Sequence, residues 1–103
     1  MGLIFEWNQD KASQNLKKHG VSFEEAATVF GDPLSLTIYD PLHSEEEDRF
    51  IIMGESIRQR LLVGVHMDRK GRIRIIRAGI ATKRERITYE KETWTKNVKR
   101  VRL

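Results

Sequence analysis

The sequence contains no cysteine and no long apolar run. Without cysteine, neither a disulfide framework nor a thiolate metal site can form, which is typical of proteins from a reducing compartment. The N-terminal segment "MGLIFEWNQDK" has no basic stretch followed by an apolar run, and no segment approaches the roughly 20 apolar residues that a membrane span needs. We therefore expect a cytoplasmic protein with no membrane association, folded as a single domain over residues 1–103.

Each half of the chain is poor in charge of one sign. Residues 1–57 hold 4 Lys/Arg against 11 Asp/Glu, a net charge of −7. Residues 58–103 hold 15 Lys/Arg against 4 Asp/Glu, a net charge of +11. This asymmetry predicts a polyanion-binding surface built mainly by the second half of the chain. The alternative is that the two halves interleave in space and their charges pair.

The first third of the chain is predicted to form a short strand and two short helices. "LIFEW" at 3–7 is rich in β-forming residues and is predicted to be the strand. The first helix is predicted to run from its cap residue, Asn8, to about Lys18, with Gly20 in the left-handed closing position. The second covers 22–30, where an S-x-x-E capping box precedes a mostly apolar run.

From residue 34 onward the pattern is typical of a sheet. A polar loop and two tight turns separate four predicted strands, which lie at 34–40, 49–54, 59–67 and 72–80. A second capping box at 82–85 begins a C-terminal helix whose apolar residues share one face: Ile87, Trp94, Val98 and Val101. The fold class is therefore predicted as α+β, with a four-stranded antiparallel sheet.

Strand pairing decides where the arginines of "RIRIIRAGI" point. A four-residue hairpin loop "DRKG" would place Arg60 opposite Gly79, on the same face as Arg77 and His66. A tight "ESIR" hairpin would add Arg49 to that face, giving a basic floor on which a phosphate could bind. Arg74 lies on the other face of an unbroken strand, and only a bulge around "RAG" would bring it beside Arg77.

Two segments of the chain resemble the BrnT family, toxins of bacterial type II toxin-antitoxin pairs. The more specific is "KHGVSFEEAATVFGDP", and the second is "ATKRERITYE"; the similarity covers residues 4 to about 90. The resemblance implies a RelE-like fold and a ribonuclease that arrests translation. It also implies neutralisation by a ribbon-helix-helix antitoxin (BrnA-like), with DNA contacted only indirectly through that antitoxin.

The sequence departs from the family at one place. The family usually reads "RIISAR" where this chain reads "RIIRAG", so Arg77 replaces a serine and Gly79 replaces an arginine. Positions 77 and 79 lie one pleat apart on the same face, about 7 Å from each other, so Arg77 could supply the missing guanidinium. The alternative is a homologue that has lost catalysis and acts as an antitoxin-binding co-repressor, or a non-catalytic RNA-binding module.

RNA cleavage without a metal or cofactor needs cations for the phosphorane oxygens, a base and an acid. The resemblance therefore leads us to predict Arg60, Arg77 and Arg74 as catalytic, in that order, with Tyr89 beside the scissile nucleotide. Predicted RNA-binding residues are Arg49, Lys83, Arg84 and His66. His19 is expected to have a structural role at the end of the first helix. The "HSEEED" loop is interpreted as solvated, not as a metal site.

Overall fold

A computed structural model describes residues 2–44 and 47–101, and the side chains of these residues as far as 93. The strands are β1 (Phe5–Glu6), β2 (Leu36–Tyr39), β3 (Arg49–Glu55), β4 (Leu61–Arg69) and β5 (Arg72–Ile80). The α-helices are α1 (Gln9–His19), α2 (Phe23–Thr28) and α3 (Lys83–Val101), and single 3₁₀ turns lie at Val29–Gly31 and Pro41–His43. The predicted α+β class and the order of the elements are confirmed.

The sheet has five strands in the order β1-β5-β4-β3-β2. Strands β2 to β5 are antiparallel neighbours, but β1 pairs with β5 in parallel, and the amide of Ile73 donates to the carbonyl of Ile4 at 2.8 Å. The prediction of four antiparallel strands was therefore wrong in detail. A two-residue strand carries no pattern that reveals its partner, because pairing between the two ends of a chain depends on the packing of everything between them.

The helix boundaries follow from local capping chemistry. The side chain of Asn8 accepts from the amide of Lys11, and Gly20 ends α1 with φ 69°. At the start of α2, the Ser22 hydroxyl accepts from the amide of Glu25 at 3.0 Å. The capping box is half formed here, because the Glu25 carboxylate does not return to the cap and instead binds Arg60, the residue before β4.

Helices α1 and α2 pack on one face of the sheet, called here the helix face. Its buried core consists of Val21, Phe23, Ala26, Val29, Ile52, Leu62, Ile75 and Ala78. The side chain of Asn15, in α1, forms two hydrogen bonds with the backbone of β5. It donates to the carbonyl of Ala78 at 2.9 Å and accepts from the Ala78 amide at 3.2 Å. This contact satisfies backbone groups of β5 beyond the end of β1.

The observed strand register differs from the predicted one at both hairpins. The turn between β4 and β5 has only two residues, Lys70 and Gly71, with φ of 50° and 79°, so Met67 pairs with Arg74. The pairing then shifts between Val65 and His66, and Ile76 has no partner across the ladder. The turn between β3 and β4 is longer than predicted, which places Arg49 opposite Met67.

The helices cover the face of the sheet opposite to the predicted one. Leu62, Gly64 and His66 lie on the helix face, where the sequence predicted open space. The other face, called here the open face, carries a row of aliphatic side chains from three strands: Leu36, Ile38, Ile51, Met53, Val63 and Val65. The prediction failed because β4 is apolar on both of its faces, so its alternation does not indicate which face the helices cover.

Helix α3 begins at a complete capping box. The Thr82 amide donates to Glu85 Oε1 at 2.8 Å, and the Glu85 amide donates to the Thr82 hydroxyl at 3.2 Å. On the predicted apolar face, Ile87 is 51% exposed, and the side chains of the remaining members lie outside the described residues. Within residues 2–44 and 47–101, no helix is both long and apolar enough to cross a membrane.

Candidate RNA-binding and catalytic cleft

Five arginines lie toward the hairpin end of the open face. The pairing of β3, β4 and β5 places the following side chains on this face: Arg49, Arg69, Arg72, Arg74 and Arg77. Two carboxylates neutralise part of this charge. Glu47 binds Arg69 at 2.5 and 2.8 Å, and Glu6 lies 3.2 Å from Arg74 and 3.7 Å from Arg72. The Arg69 hydrogen bond lowers the pKa of Glu47 below its ordinary value.

Arg77 differs from Arg69, Arg72 and Arg74 because it is exposed and makes no ion pair with any residue that the structure describes. It shares the open face with Arg74 because the chain inserts Ile76 as an extra residue between them. A bulge of this kind changes which residues of a strand point to each side. The predicted condition for bringing the two arginines together is therefore met.

Arg77 lines a cleft of about 650 Å³ that runs along β5 between the end of α1 and the start of α3. The polar side chains of the cleft are Lys18, His19, Arg77 and Glu85. Gly79 forms part of its wall, and Ile51, Val63 and Val65 form an apolar floor. The cleft thus combines two cations, an imidazole and a carboxylate above an apolar surface.

The ends of two helices position these groups. Lys18 and His19 occupy the last turn of α1, and Gly20 closes that helix immediately after them. Glu85 is held by its hydrogen bond from the amide of Thr82. The arrangement has the functional groups for phosphate chemistry, since a guanidinium binds phosphate through two parallel hydrogen bonds and both imidazole and carboxylate transfer protons.

Arg60 lies outside this cleft. Its Nε donates to Glu25 Oε2 at 2.9 Å, its Nη2 donates to Glu25 Oε1, and Nη2 also donates to the carbonyl of Gly20 at 3.1 Å. Ser56 donates a further hydrogen bond to Glu25 at 2.7 Å. The hydrogen bond from Arg60 outweighs burial and lowers the pKa of Glu25 below its ordinary value. The predicted pairing of Arg60 with Gly79 was wrong, because Gly79 pairs with Val63.

His66 is buried in the core. The prediction that it lies on an open, RNA-binding face was wrong. Its ring lies 4.9 Å from the ring of Phe30, edge to face, and stacks on Phe50 at 5.4 Å. Neither ring nitrogen has a hydrogen-bond partner among the described residues, and the nearest carboxylate oxygen, on Asp68, is 3.8 Å from Nδ1. Burial lowers the pKa of His66, against a smaller opposing effect of Asp68.

The other predicted residues occupy different surroundings. The Tyr89 hydroxyl donates to Asp32 Oδ2 at 2.6 Å, and burial together with this bond raises the tyrosine pKa above its ordinary value. Lys83 is exposed at the start of α3, and Arg84 lines a second groove on the open face. Arg49 lies on the open face, opposite Met67, and not on the face of His66 as predicted.

Within the part of the chain that the structure describes, no three His, Asp or Glu side chains come close enough together to hold a metal ion. Residues 45 and 46 of the acidic loop lie outside the described residues.

Sequence reasoning missed Lys18, His19 and Glu85 as members of the cleft. Each has a local structural explanation, since Lys18 and His19 complement the C-terminal end of α1 and Glu85 forms a capping box. Those explanations are correct but incomplete, because only the packing of α1 and α3 on either side of β5 brings the three side chains near Arg77.

Comparison with known proteins is consistent with the sequence resemblance. A family model described as "Ribonuclease toxin, BrnT, of type II toxin-antitoxin system" matches residues 7–85. The crystal structure of the Brucella abortus ribonuclease toxin BrnT is similar, with a TM-score of 0.58 and 15% sequence identity over 80% of this chain and 100% of that chain. At this identity the likeness shows the fold alone. No curated protein sequence matches the chain.

Proposed function

This chain belongs to the BrnT family of ribonuclease toxins of type II toxin-antitoxin systems, and we propose that it is an endoribonuclease whose active site is the cleft around Arg77. The observation that carries this proposal is the position of Arg77: it is exposed, makes no ion pair among the described residues, and shares one cleft with Lys18, His19 and Glu85. The catalytic arginine is thus assigned to the open face and not to Arg60.

The proposed reaction is metal-independent transesterification. The 2′-hydroxyl oxygen of the RNA attacks the adjacent phosphorus, the bond from phosphorus to the 5′-oxygen breaks, and a 2′,3′-cyclic phosphate forms. One proton leaves the 2′-hydroxyl and one is delivered to the departing 5′-oxygen. The phosphorane carries extra negative charge on its non-bridging oxygens, which preorganised cations stabilise.

The groups of the cleft can be assigned to these tasks. Arg77 binds the non-bridging oxygens, and Lys18 lines the same cleft as a second cation. Carboxylate and imidazole side chains both transfer protons, so Glu85 is assigned as the base for the 2′-hydroxyl and His19 as the acid for the departing 5′-oxygen. Arg74, on the same face but paired with Glu6, binds a neighbouring phosphate.

Tyr89 and Arg60 are reassigned as structural residues. Both make strong hydrogen bonds to carboxylates within the protein, Tyr89 to Asp32 and Arg60 to Glu25, so neither side chain is available to RNA without breaking an internal contact. Arg49, Lys83 and Arg84 are proposed as contacts for more distant phosphates, whereas the burial of His66 argues against a contact with RNA.

The biological role follows from the family. We propose that RNA cleavage inhibits translation and that a ribbon-helix-helix antitoxin neutralises the enzyme, with operator DNA contacted through the antitoxin. The resemblance of the sequence to the family supports this role, and a RelE-like relationship of the fold is proposed on the same basis.

Cleavage of a labelled RNA by the purified protein in EDTA tests the proposal. We expect cleavage with a cyclic phosphate product, and we expect Arg77→Ala to lower the rate by about 100- to 1,000-fold. The matched control is Arg86→Ala, which removes an exposed arginine of α3 that does not line the cleft. Equal rates for Arg77→Ala and wild type would show that the active site is elsewhere.

Two further variants test the proton-transfer roles. Glu85→Gln keeps an acceptor for the capping bond, because glutamine serves in the same box. We expect Glu85→Gln and His19→Gln each to slow single-turnover cleavage by about 100-fold or more, as the loss of a general base or acid does, while RNA binding changes little. Wild-type protein that binds RNA but cleaves none, with or without added divalent cations, would favour the non-catalytic alternatives.

A further inference from the structure

A second groove on the open face lies between the sheet and α3, with a volume of about 320 Å³. Its sheet wall consists of five aliphatic side chains: Leu36, Ile38, Ile51, Met53 and Val63. Arg84, Glu85 and Thr88 of α3 form the opposite wall. Ile38 is 61% exposed although it lies in a β-strand. The described part of the chain therefore leaves an apolar surface open beside α3.

The groove opens into the cleft around Arg77. Ile51, Val63 and Glu85 line both cavities. His19 and Arg77, by contrast, line the cleft and not the groove. Glu85 therefore marks the boundary between the two, and a ligand bound at Arg77 can extend past Glu85 into the groove.

The walls of the groove favour a flat apolar group. The aliphatic wall contains neither donors nor acceptors. On the opposite wall, the Thr88 hydroxyl donates to the carbonyl of Arg84 at 3.2 Å, and the Glu85 carboxylate accepts from the Thr82 amide at 2.8 Å. These polar groups are already used within α3, so the groove holds its ligand mainly by burial of apolar surface.

The charge around the groove favours an anionic ligand. Arg84 is exposed, makes no ion pair among the described residues and lines the groove, while Arg77 lines the adjoining cleft. Single-stranded RNA combines negative phosphates with bases that unstack and enter protein pockets. A second copy of this chain would bring a basic surface against the arginines of the open face. Residues 94–103 of the chain have no acidic residue and are basic: Lys96, Lys99, Arg100 and Arg102.

We propose that the groove is a nucleobase subsite, and that it binds the nucleobase on the 5′ side of the scissile phosphate. This inference rests on the proposed function, because the choice of side depends on the proton-transfer roles of Glu85 and His19. Glu85 takes the proton of the 2′-hydroxyl, so the ribose that carries this hydroxyl lies beside Glu85. Its nucleobase then enters the groove that Glu85 also lines.

The same roles place the other neighbouring groups of the RNA. His19 protonates the departing 5′-oxygen and does not line the groove, so the nucleotide on the 3′ side lies away from it. Arg84 binds the phosphate that precedes the buried nucleobase. One nucleotide therefore spans the distance between Arg77 and Arg84.

An apolar subsite discriminates weakly between nucleobases. Sequence readout requires donors and acceptors aimed at the base edges, and the aliphatic wall provides none. A purine covers more of this wall than a pyrimidine does, so purines bind somewhat more tightly. Removal of the nucleobase is therefore expected to cost more than its exchange for another one.

The test uses a 2′-O-methyl oligonucleotide that contains one ribonucleotide, because only that ribonucleotide has a 2′-hydroxyl able to attack phosphorus. We expect loss of its nucleobase to raise the protein concentration that gives half-maximal single-turnover cleavage by roughly tenfold, as the loss of a buried apolar group does. Loss of the nucleobase from the next nucleotide on the 3′ side is expected to have a much smaller effect.

Two matched variants show whether the groove is responsible. Ile38→Ser shortens the groove wall without adding charge, and Ile57→Ser makes the same change at a side chain that is 78% exposed and does not line the groove. We expect the effect of nucleobase removal to persist in Ile57→Ser and to shrink by about threefold or more in Ile38→Ser, as contacting partners in a double-mutant cycle do. Ile38→Thr, which keeps a β-branched side chain, replaces Ile38→Ser if that variant is poorly folded.

Several results would overturn the subsite. Cleavage by the wild type that does not depend on the nucleobase would remove the subsite and leave the proposed enzyme intact. An equal or larger effect on the 3′ side would overturn the assignment to the 5′ nucleotide. Self-association of the wild type that Ile38→Ser abolishes would identify the groove as a contact between copies of this chain.

Failure of the proposed enzyme gives a different result. If the wild type cleaves none of these oligonucleotides, the proposed function fails, and the assignment to the 5′ side fails with it. Equilibrium binding then tests the groove without cleavage. Tighter binding of a fully 2′-O-methyl oligonucleotide than of an abasic chain of the same length, with the difference lost in Ile38→Ser, would still support a nucleobase in the groove. Equal binding of the two chains would overturn it.

Discussion

Arg74 and Arg77 point to the same side of β5, although they are three positions apart, because Ile76 has no partner on β4. In an unbroken strand their side chains would lie on opposite faces. The bulge thus gives the open face a paired arginine, Arg74 with Glu6, next to an arginine that makes no ion pair among the described residues. One inserted residue thereby places Arg77 in the cleft with His19 and Glu85.

Arg60→Ala is expected to lower thermal stability and leave the catalytic rate of the folded protein unchanged. The substitution leaves the Glu25 carboxylate, 4% exposed, without its main partner, and an unpaired buried charge is destabilising. Arg58→Ala is the matched control, since Arg58 lies 3.6 Å from the same carboxylate but is 68% exposed. Thermal melts and single-turnover cleavage rates separate the two effects.

A different outcome would restore the role that the sequence predicted for Arg60. If Arg60→Ala melts like the wild type but cleaves RNA 100-fold more slowly, Arg60 acts in catalysis, and the Glu25 contact opens when RNA binds.

Gly79→Arg is expected to be tolerated and to increase the affinity for RNA by roughly tenfold, as one added charge-assisted contact would. A Cβ at Gly79 would have no atom within 4 Å, and the position lines the cleft beside Arg77. Titration of a 2′-O-methyl oligoribonucleotide, which has no free 2′-hydroxyl and is therefore not cleaved, measures the affinity. Gly79→Ala is the control for loss of glycine. Weaker binding by Gly79→Arg would indicate that RNA needs the space at this position.

Gly54→Ala is expected to destabilise the protein by about 1–3 kcal/mol, as overpacking of a dense core does. A Cβ at this position would lie 2.9 Å from Cγ1 of Val29 and 3.0 Å from Cβ of Ser35. Chemical denaturation measures the loss, and Gly79→Ala, in open space, should change the free energy of unfolding far less. Similar values for the two variants would contradict the packing described around Gly54.

The free energy of unfolding is expected to decrease as the pH falls below about 6.5, the ordinary pKa of histidine. Burial lowers the pKa of His66 in the folded state, so the unfolded chain binds a proton more readily, and acidification favours unfolding. Asp68 opposes this effect in part. Denaturation between pH 5 and 8 measures the slope.

Replacement of the ring identifies the responsible group. His66→Phe keeps an aromatic ring between Phe30 and Phe50 and should reduce the pH dependence over that range. His43→Gln, which removes an exposed histidine, is the matched control. A slope that survives in His66→Phe would assign the pH dependence to other groups.

Tyr89→Phe is expected to lower stability by about 1–2 kcal/mol and to leave the chemical step unchanged. The variant removes only the hydroxyl that donates to Asp32, a hydrogen bond to a charged acceptor. Denaturation and single-turnover cleavage are the measurements, with Thr88→Ser as a control for a small change on the same helix. A large loss of rate with full stability would support the catalytic role that the sequence predicted for Tyr89.

Several features were predictable because their signals are local. The cap at Asn8, the closing Gly20 and the box at Thr82 and Glu85 depend on residues within one helical turn, and the structure confirms them. The order of elements followed from the same kind of signal. The capping box at Ser22 is the exception, because a long-range partner, Arg60, takes the carboxylate of Glu25.

The membership of the cleft depends on contacts between residues that are distant in sequence. The predicted register failed at both hairpins, and with it the grouping of Arg60, Arg49 and His66 on one phosphate-binding face. A turn that is two residues shorter or longer changes every pairing along a hairpin, and a bulge reverses the faces beyond it. Tyr89 was predicted beside the scissile nucleotide, and its hydroxyl donates to Asp32, which lies 57 residues earlier in the sequence.

The sequence by itself determined the family, the α+β class, the succession of helices and strands, and a basic second half. These features depend on composition and on hydrogen bonds between residues that are close in sequence. Only the tertiary structure decided which face of the sheet is open, that Arg77 is exposed without an ion pair among the described residues, and that Lys18, His19 and Glu85 meet beside it. The physical reason is that β4 is apolar on both faces and both hairpins depart from the expected turns. The packing of α1 and α2, and not the alternation of residues, therefore chooses the buried side.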